Sequence, residues 1–130
     1  MHLFPDDHIL FLALNSCWEI DHHWRQRASI NPDALASALD QMQGNQYNDW
    51  LKIAVWHHPV TGLEMMDDEF LGGLAIHKFK VCMHGHIHKA IEGYHKYDAH
   101  RGLYIIGAGT FGATTRERKE GIPLQYNLLA

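Results

Sequence analysis

Cysteine, positive charge and long apolar runs are all scarce in this chain, and each scarcity excludes a class of protein. The cysteines, Cys17 and Cys82, are too few for a disulfide framework, so a reducing, cytoplasmic setting is expected. Lysine and arginine number 11 against 15 acidic residues, and the net charge of −4 offers no basic surface for nucleic acid. The longest apolar run, residues 9–14, is far shorter than the roughly 20 residues that span a bilayer, and no positively charged n-region precedes it. Neither a membrane span nor a secretory signal is therefore expected.

Histidine, in contrast, is abundant. The chain contains 12 histidines against 11 lysines and arginines, and five of the histidines fall in two short clusters. Histidine is the commonest metal ligand, and its charge changes near neutral pH. With 46% hydrophobic and 20% charged residues, the remaining composition is that of one globular unit covering residues 1–130. The histidines are therefore the strongest indication of function in the sequence.

The apolar pattern predicts an α/β fold in which a mixed β-sheet carries flanking helices. Strands are expected over residues 9–14, 51–56, 81–83, 90–97, 103–106 and 125–129. Asn31 and Pro32 indicate the start of a helix that ends at Gly44, because Asn caps helices and Pro suits the first turn. A second helix is expected over residues 67–78. The remaining segments are predicted to be a polar lead-in over residues 1–8 and a long loop over residues 17–29.

Both histidine clusters come directly after predicted strands. The first contains His57 and His58, and the second contains His84, His86 and His88. In an extended segment alternate residues point to the same side, so the three histidines of the second cluster could project together, while Gly85 allows the backbone to bend sharply. Neutral imidazoles at the ends of neighbouring strands suit Zn, Fe, Mn or Ni. The sequence therefore predicts a metal or phosphate site at one edge of the sheet.

The two clusters carry motifs that resemble those of the dinuclear metallophosphoesterases, the calcineurin-like phosphoesterase family. In that family one strand is followed by His-x-Pro and a later strand by Gly-His-x-His, which correspond here to residues 57–59 and 85–88. The strand that ends at Asn15 and Ser16, the capped helix and the closing strands also resemble the family's. The resemblance implies that the chain is the later half of the family's four-layer α/β/β/α sandwich.

The resemblance also implies a role for individual histidines. His57 matches the ligand of His-x-Pro and His86 matches the first histidine of Gly-His-x-His, so both would bind the same metal ion. His88 matches the second histidine of that motif and would bind the other ion. His58 would be a catalytic residue that faces the substrate, whereas His84 receives no role. Two divalent ions (Mn, Fe, Zn or Ni) in such a site activate water and hydrolyse a phosphoester substrate.

The earlier motifs of the family are not matched. The chain contains no Gly-Asp pair, and segments that mimic Asp-x-His or Gly-Asn-His, at residues 6–8, 21–23 and 44–46, do not directly follow predicted strands. The chain is therefore expected to be the C-terminal portion of a domain whose N-terminal motifs lie upstream or on another chain. Without a bridging carboxylate it should bind metal weakly and be almost inactive alone. Its uncovered sheet should associate into a homo-oligomer.

Two other functions stay open. A histidine-triad nucleotide hydrolase or transferase also carries three alternating histidines, and its middle histidine attacks phosphorus covalently. Gly85 and Lys89 stand where that signature has apolar residues, and His57 and His58 have no part in it. A non-catalytic metal-binding module would keep the histidines without turnover. A phosphohistidine would favour the triad, and chelator-sensitive metal content without turnover would favour the module.

Overall fold

A mixed β-sheet forms the centre of the computed structural model, which describes residues 1–24, 26–62, 65–110, 112–114, 116–117 and 120–128. Within these ranges the strands are β1 His2–Phe4, β2 Ile9–Ala13, β3 Leu51–Trp56, β4 Val81–His84, β5 Ile91–Lys96 and β6 Gly102–Gly107. The helices there are α1 Pro32–Asp40 and α2 Phe70–Ile76, with a 3-10 turn at Pro5–Asp7. None of these helices has the length and apolar character needed to cross a bilayer.

The strand order, β1-β2-β3-β4-β6-β5, sends the loops after β2, β3 and β4 to one edge of the sheet. The four central strands β2, β3, β4 and β6 run parallel, while β1 and β5 pair antiparallel at the two sides. Parallel neighbours require crossover connections, which contain α1 between β2 and β3 and α2 between β3 and β4. Trp56 pairs with His84 at the carboxyl ends of β3 and β4. In open α/β sheets ligands bind at this edge.

The core lies on the face of the sheet that packs against the helices. Leu12, Ala54, Cys82 and Ile105, from the four central strands, are at most 2% exposed. The helices add Leu35, Leu39, Leu71 and Leu74 to the same buried cluster. Apolar alternation on the strands and helical spacing in α1 and α2 therefore direct side chains to one shared interior.

The opposite face of the sheet is apolar as well, but it is partly open to solvent. The register places Phe11, Ile53, Val81 and Tyr104 side by side across β2, β3, β4 and β6. The Tyr104 side chain is 57% exposed and Leu51, at the start of β3, is 41% exposed. Apolar residues therefore occupy both faces, although only one face is well covered.

The predicted α/β fold with a mixed sheet is confirmed, and so are the strands expected over residues 9–14, 51–56, 81–83, 90–97 and 103–106. The helix expected from Asn31 begins there, because the Asn31 side chain accepts a hydrogen bond of 2.9 Å from the N–H of Ala34. It ends at Asp40, before the expected Gly44. Residues 17–24 and 26–29 form the irregular loop that was expected over residues 17–29.

Three other predictions need correction. Residues 1–8 contain β1, which pairs with β2 as an edge strand. The helix expected over residues 67–78 covers only Phe70–Ile76, because the Asp67 side chain accepts from the N–H of Glu69 in a preceding turn. The strand expected over residues 125–129 is absent from residues 125–128, where the N–H of Gln125 donates to the Thr110 carbonyl. Residue 129 lies outside the described residues.

Candidate metal centre

Three imidazoles meet at the edge of the sheet where β3 and β4 end. His57 and His58 follow β3 directly, and His86 lies two residues beyond β4. One nitrogen of each ring lies within 4.8 Å of a nitrogen of the other two rings. The ring centroids are 4.9, 5.1 and 4.9 Å apart. Within the described residues, no other group of histidine, cysteine or acidic side chains is arranged closely enough to hold a metal ion.

His57 and His86 form the closest pair in this group. Nε2 of His57 lies 3.1 Å from Nδ1 of His86. The N–H of Gly85 donates a 3.0 Å hydrogen bond to the His57 carbonyl, so the backbone also ties the two loops together. Two nitrogen ligands about 2.0–2.1 Å from a tetrahedral zinc ion lie roughly 3.4 Å apart. The separation of the two nitrogens is therefore close to that of two ligands on one ion.

The loop after β4 turns sharply, and this turn separates the histidines of the second cluster. His86 (φ 68°) and His88 (φ 51°) both lie in the left-handed region, which is uncommon for residues other than glycine. His84 ends β4 and is buried, at 1% exposure, with its ring stacked near that of Trp56. The segment after β4 is therefore not extended, and His84 lies in the interior, away from the other two histidines of its cluster; that His86 and His88 project to the same side stays a prediction.

A buried serine holds His58 in place. Ser16, just beyond β2, is 1% exposed. Its Oγ lies 2.9 Å from Nδ1 of His58 and accepts hydrogen bonds of 3.2 Å from the backbone N–H groups of His57 and His58. The indole N–H of Trp56 donates to the His58 carbonyl at 2.7 Å. These contacts fasten the end of β2 to the loop after β3. The apolar pattern predicts that a strand ends at Ser16, but it does not predict these hydrogen bonds.

The electrostatic surroundings keep the central imidazoles neutral. Burial lowers the pKa of His57, and the charges of His86 and His88 lower it further. Burial also lowers the pKa of His58, and the charges of His57 and His86 act in the same direction, while the Ser16 backbone raises it. Neutral imidazoles carry the lone pair that a metal ion requires. Each ring therefore keeps one lone pair near neutral pH, and the hydrogen bonds of the ring decide which nitrogen carries it.

The structure thus brings together two predicted ligands, His57 and His86, with His58, which was predicted to be catalytic. His88 is half-buried and lies outside this group of three, although its charge reaches His57. Its role as a ligand of a second ion stays a prediction. No carboxylate of a described residue belongs to the group.

Comparison with known proteins adds no relative: no protein-family model, no curated protein and no solved structure matches this chain. The chemistry of the site is therefore read from its own atoms. Three imidazoles on two neighbouring loops, grouped without a carboxylate from the described residues, can hold a metal ion.

Proposed function

We propose that this chain takes part in the metal-dependent hydrolysis of phosphoesters. On this proposal His57 and His86 bind one divalent ion and His88 binds a second. The observation that carries it is the 3.1 Å separation between Nε2 of His57 and Nδ1 of His86, beyond the carboxyl ends of two parallel strands. These histidines belong to the same motifs, His-x-Pro and Gly-His-x-His, on which the resemblance to the metallophosphoesterases rests.

The charge of the group favours an anionic substrate. Imidazoles are neutral ligands, so an ion held by His57 and His86 keeps its positive charge toward a phosphate. A divalent cation supplies Lewis-acid polarisation of the phosphoryl group and activates water near neutral pH. His58, which Ser16 holds at the same edge of the sheet, contributes a hydrogen bond to a phosphoryl oxygen or to the leaving group.

The proposal requires ligands that this group lacks. A dinuclear site needs a carboxylate to bridge its ions, and the group contains none from the described residues. We propose that the missing ligands come from a segment or chain beyond these residues. The partly open face of the sheet would then pack against a second sheet, as in the family's four-layer sandwich. Alone, this chain should bind one ion or fewer and hydrolyse phosphoesters at a barely measurable rate.

Phosphate binding tests the proposal without requiring turnover. Calorimetric titration with inorganic phosphate, and then with a generic phosphodiester, is carried out with and without added zinc or manganese. We expect binding only with metal, and binding weaker by about tenfold or more in His57→Asn. His100→Asn, which changes an exposed turn histidine, is the matched control. Metal binding without any phosphate affinity would contradict the proposal and favour the non-catalytic module.

The histidine-triad alternative finds less support in the geometry. A triad needs its histidines on one accessible side, whereas His84 is buried and the chain turns left-handed at His86. Mass spectrometry after brief exposure to a nucleotide distinguishes the two mechanisms. A phosphohistidine at His86 would favour the triad and contradict the metal-dependent reaction.

A further inference from the structure

We propose that Ser16 fixes the tautomer of His58, so that His58 donates a hydrogen bond to the substrate and is not a third metal ligand. Ser16 is thus a positioning residue that acts through His58. The inference rests on the proposed function for the identity of the substrate. Its structural part, the location of one hydrogen on His58, stands on the contacts of Ser16 alone.

The hydrogen bonds of Ser16 leave only one place for its hydroxyl hydrogen. A serine hydroxyl has one hydrogen and two lone pairs. Both lone pairs accept backbone N–H groups, from His57 and His58, each at 3.2 Å. The remaining described contact of Oγ is to Nδ1 of His58, at 2.9 Å. Because Ser16 is 1% exposed, bulk water does not reach this hydrogen, and a buried hydroxyl hydrogen left unpaired would be unfavourable.

In the neutral ring the Ser16 hydroxyl therefore donates to Nδ1 of His58, whereas the Ser16 backbone, which raises the pKa of His58, favours the charged ring. A neutral imidazole that accepts at Nδ1 carries its hydrogen on Nε2. An Nε2–H group donates to an oxygen anion, and it cannot bind a cation unless it first loses that hydrogen. Proximity alone would allow all three imidazoles to bind one ion, but this count of hydrogens leaves His57 and His86 as its ligands.

His57 and His86, unlike His58, face each other with a nitrogen that can offer a lone pair to a cation. At an N···N separation of 3.1 Å, at least one of the two facing nitrogens presents a lone pair to the other. If both residues held a cation, the hydrogen between them would move to the other nitrogen of its own ring or to water. The His58 ring lies 4.9 Å from each of these rings, centroid to centroid. A phosphoryl oxygen held beside His57 and His86 would lie near the His58 ring, whose N–H would stabilise developing negative charge.

Nuclear magnetic resonance of the chain labelled with ¹⁵N-histidine locates the hydrogen directly. Long-range ¹H–¹⁵N correlations are recorded near pH 8, where the imidazoles are neutral, and His58→Gln assigns the His58 signals. We expect an unprotonated Nδ1 and a protonated Nε2 for His58, and the same pattern after zinc is added, while the His57 and His86 signals move. A protonated Nδ1, or loss of the Nε2 hydrogen when zinc binds, would overturn the inference.

Substitution of Ser16 provides the second arm. Ser16→Ala should move both His58 nitrogen shifts toward the average of the two tautomers, and Ser16→Thr, which keeps a hydroxyl, should restore them. If Ser16→Ala does not fold, zinc affinity decides: His86→Asn should weaken binding about tenfold or more, and His58→Gln should not. Equal losses would contradict the inference. Absence of zinc binding in the unmodified chain would instead contradict the proposed function, and the tautomer would still be measurable.

Discussion

The left-handed backbone conformation of His86 and His88 destabilises the loop after β4. Each such residue costs of order 1–3 kcal/mol unless its surroundings fix it, and such residues cluster at functional sites. One contact that fixes this turn is the hydrogen bond from Gly85 to the His57 carbonyl. Asparagine tolerates the left-handed region better than most residues. It therefore allows the imidazole to be removed while the backbone is kept.

His86→Asn should lower zinc affinity by about tenfold or more, because it removes one of the two facing nitrogens. The free energy of unfolding without metal should change by less than about 0.5 kcal/mol. Competition with a coloured chelator measures the affinity. His8→Asn is the matched control, since His8 is also left-handed (φ 52°) and exposed but lies at the amino end of β2. Unchanged zinc binding in His86→Asn would exclude the pair as the site.

Acidification should destabilise the chain. Burial lowers the pKa of His57, His58 and His84 below the ordinary 6.5. Between about pH 6.5 and the lowered values the unfolded chain binds more protons than the folded one, so stability is complete above this window and is lost as pH falls through it. Urea midpoints at pH 7.5 and 5.5 test the sign. A higher midpoint at pH 5.5 would contradict these shifts.

A substitution of His84 shows how much of this pH dependence comes from the core and how much comes from the metal centre. Its ring is 1% exposed, and its Nε2 has no hydrogen-bond partner among the described residues. His84→Leu should therefore reduce the pH dependence of stability, and His100→Leu should leave it unchanged.

The position of His57, His58 and His86 at the sheet edge could be predicted from the sequence, because an apolar pattern shows where strands end and which motifs follow them. The sequence did not separate His84 from them, because the left-handed turn leaves no periodic trace.

At the scale of single elements, the start of α1 depends on Asn31. Its side chain accepts from the N–H of Ala34, and the helix that follows buries Leu35 and Leu39 against the sheet. Asn31→Ala should lower the free energy of unfolding by about 1 kcal/mol. Asn31→Asp, which keeps an acceptor, should stay within a few tenths of the unmodified chain. Urea unfolding measures both, and equal losses would show that the cap does not stabilise α1.

The elements were predictable to different degrees for physical reasons. β3 could be predicted because its apolar run is suited to burial on both faces. β1 could not, since its three exposed residues, His2–Phe4, become a strand only by pairing with β2. α2 is shorter than predicted because the turn at Asp67 satisfies the backbone before the helix begins. Local propensity thus located the interior strands, while tertiary pairing determined the edge and the helix ends.

At the scale of the whole molecule, the partly open sheet face predicts self-association of this chain. The accessible surface is 8888 Å² at 14.9 kDa. A compact monomer of that mass exposes roughly 7,000 Å². The excess of roughly 1,900 Å² is shared between this face, where Leu51 and Tyr104 are exposed, and the irregular segment after β6, and a standard interface buries ~800 Å² of each partner. We expect a second copy of this chain to cover the face that contains Phe11, Ile53 and Tyr104.

Sedimentation velocity should show this dimer at micromolar concentrations. A double variant, Leu51→Lys with Tyr104→Lys, should be monomeric, because it places charges on the face that associates. Ile76→Lys is the control, since Ile76 is 60% exposed on α2 and should not affect association. A monomeric unmodified chain, or equal effects of the two variants, would contradict the expected interface.

The contact between His57 and His86 also allows zinc to report when β3 and β4 pair during folding. The two histidines are 29 positions apart in the chain and meet only when β3 and β4 have paired around their crossover. In the unfolded chain the two histidines are not held side by side, so zinc binds the folded state more tightly and stabilises it. If β3 and β4 pair before the rate-limiting step, added zinc accelerates refolding; if they pair afterwards, zinc only slows unfolding. Stopped-flow kinetics at increasing zinc would therefore report when the centre of the sheet is assembled.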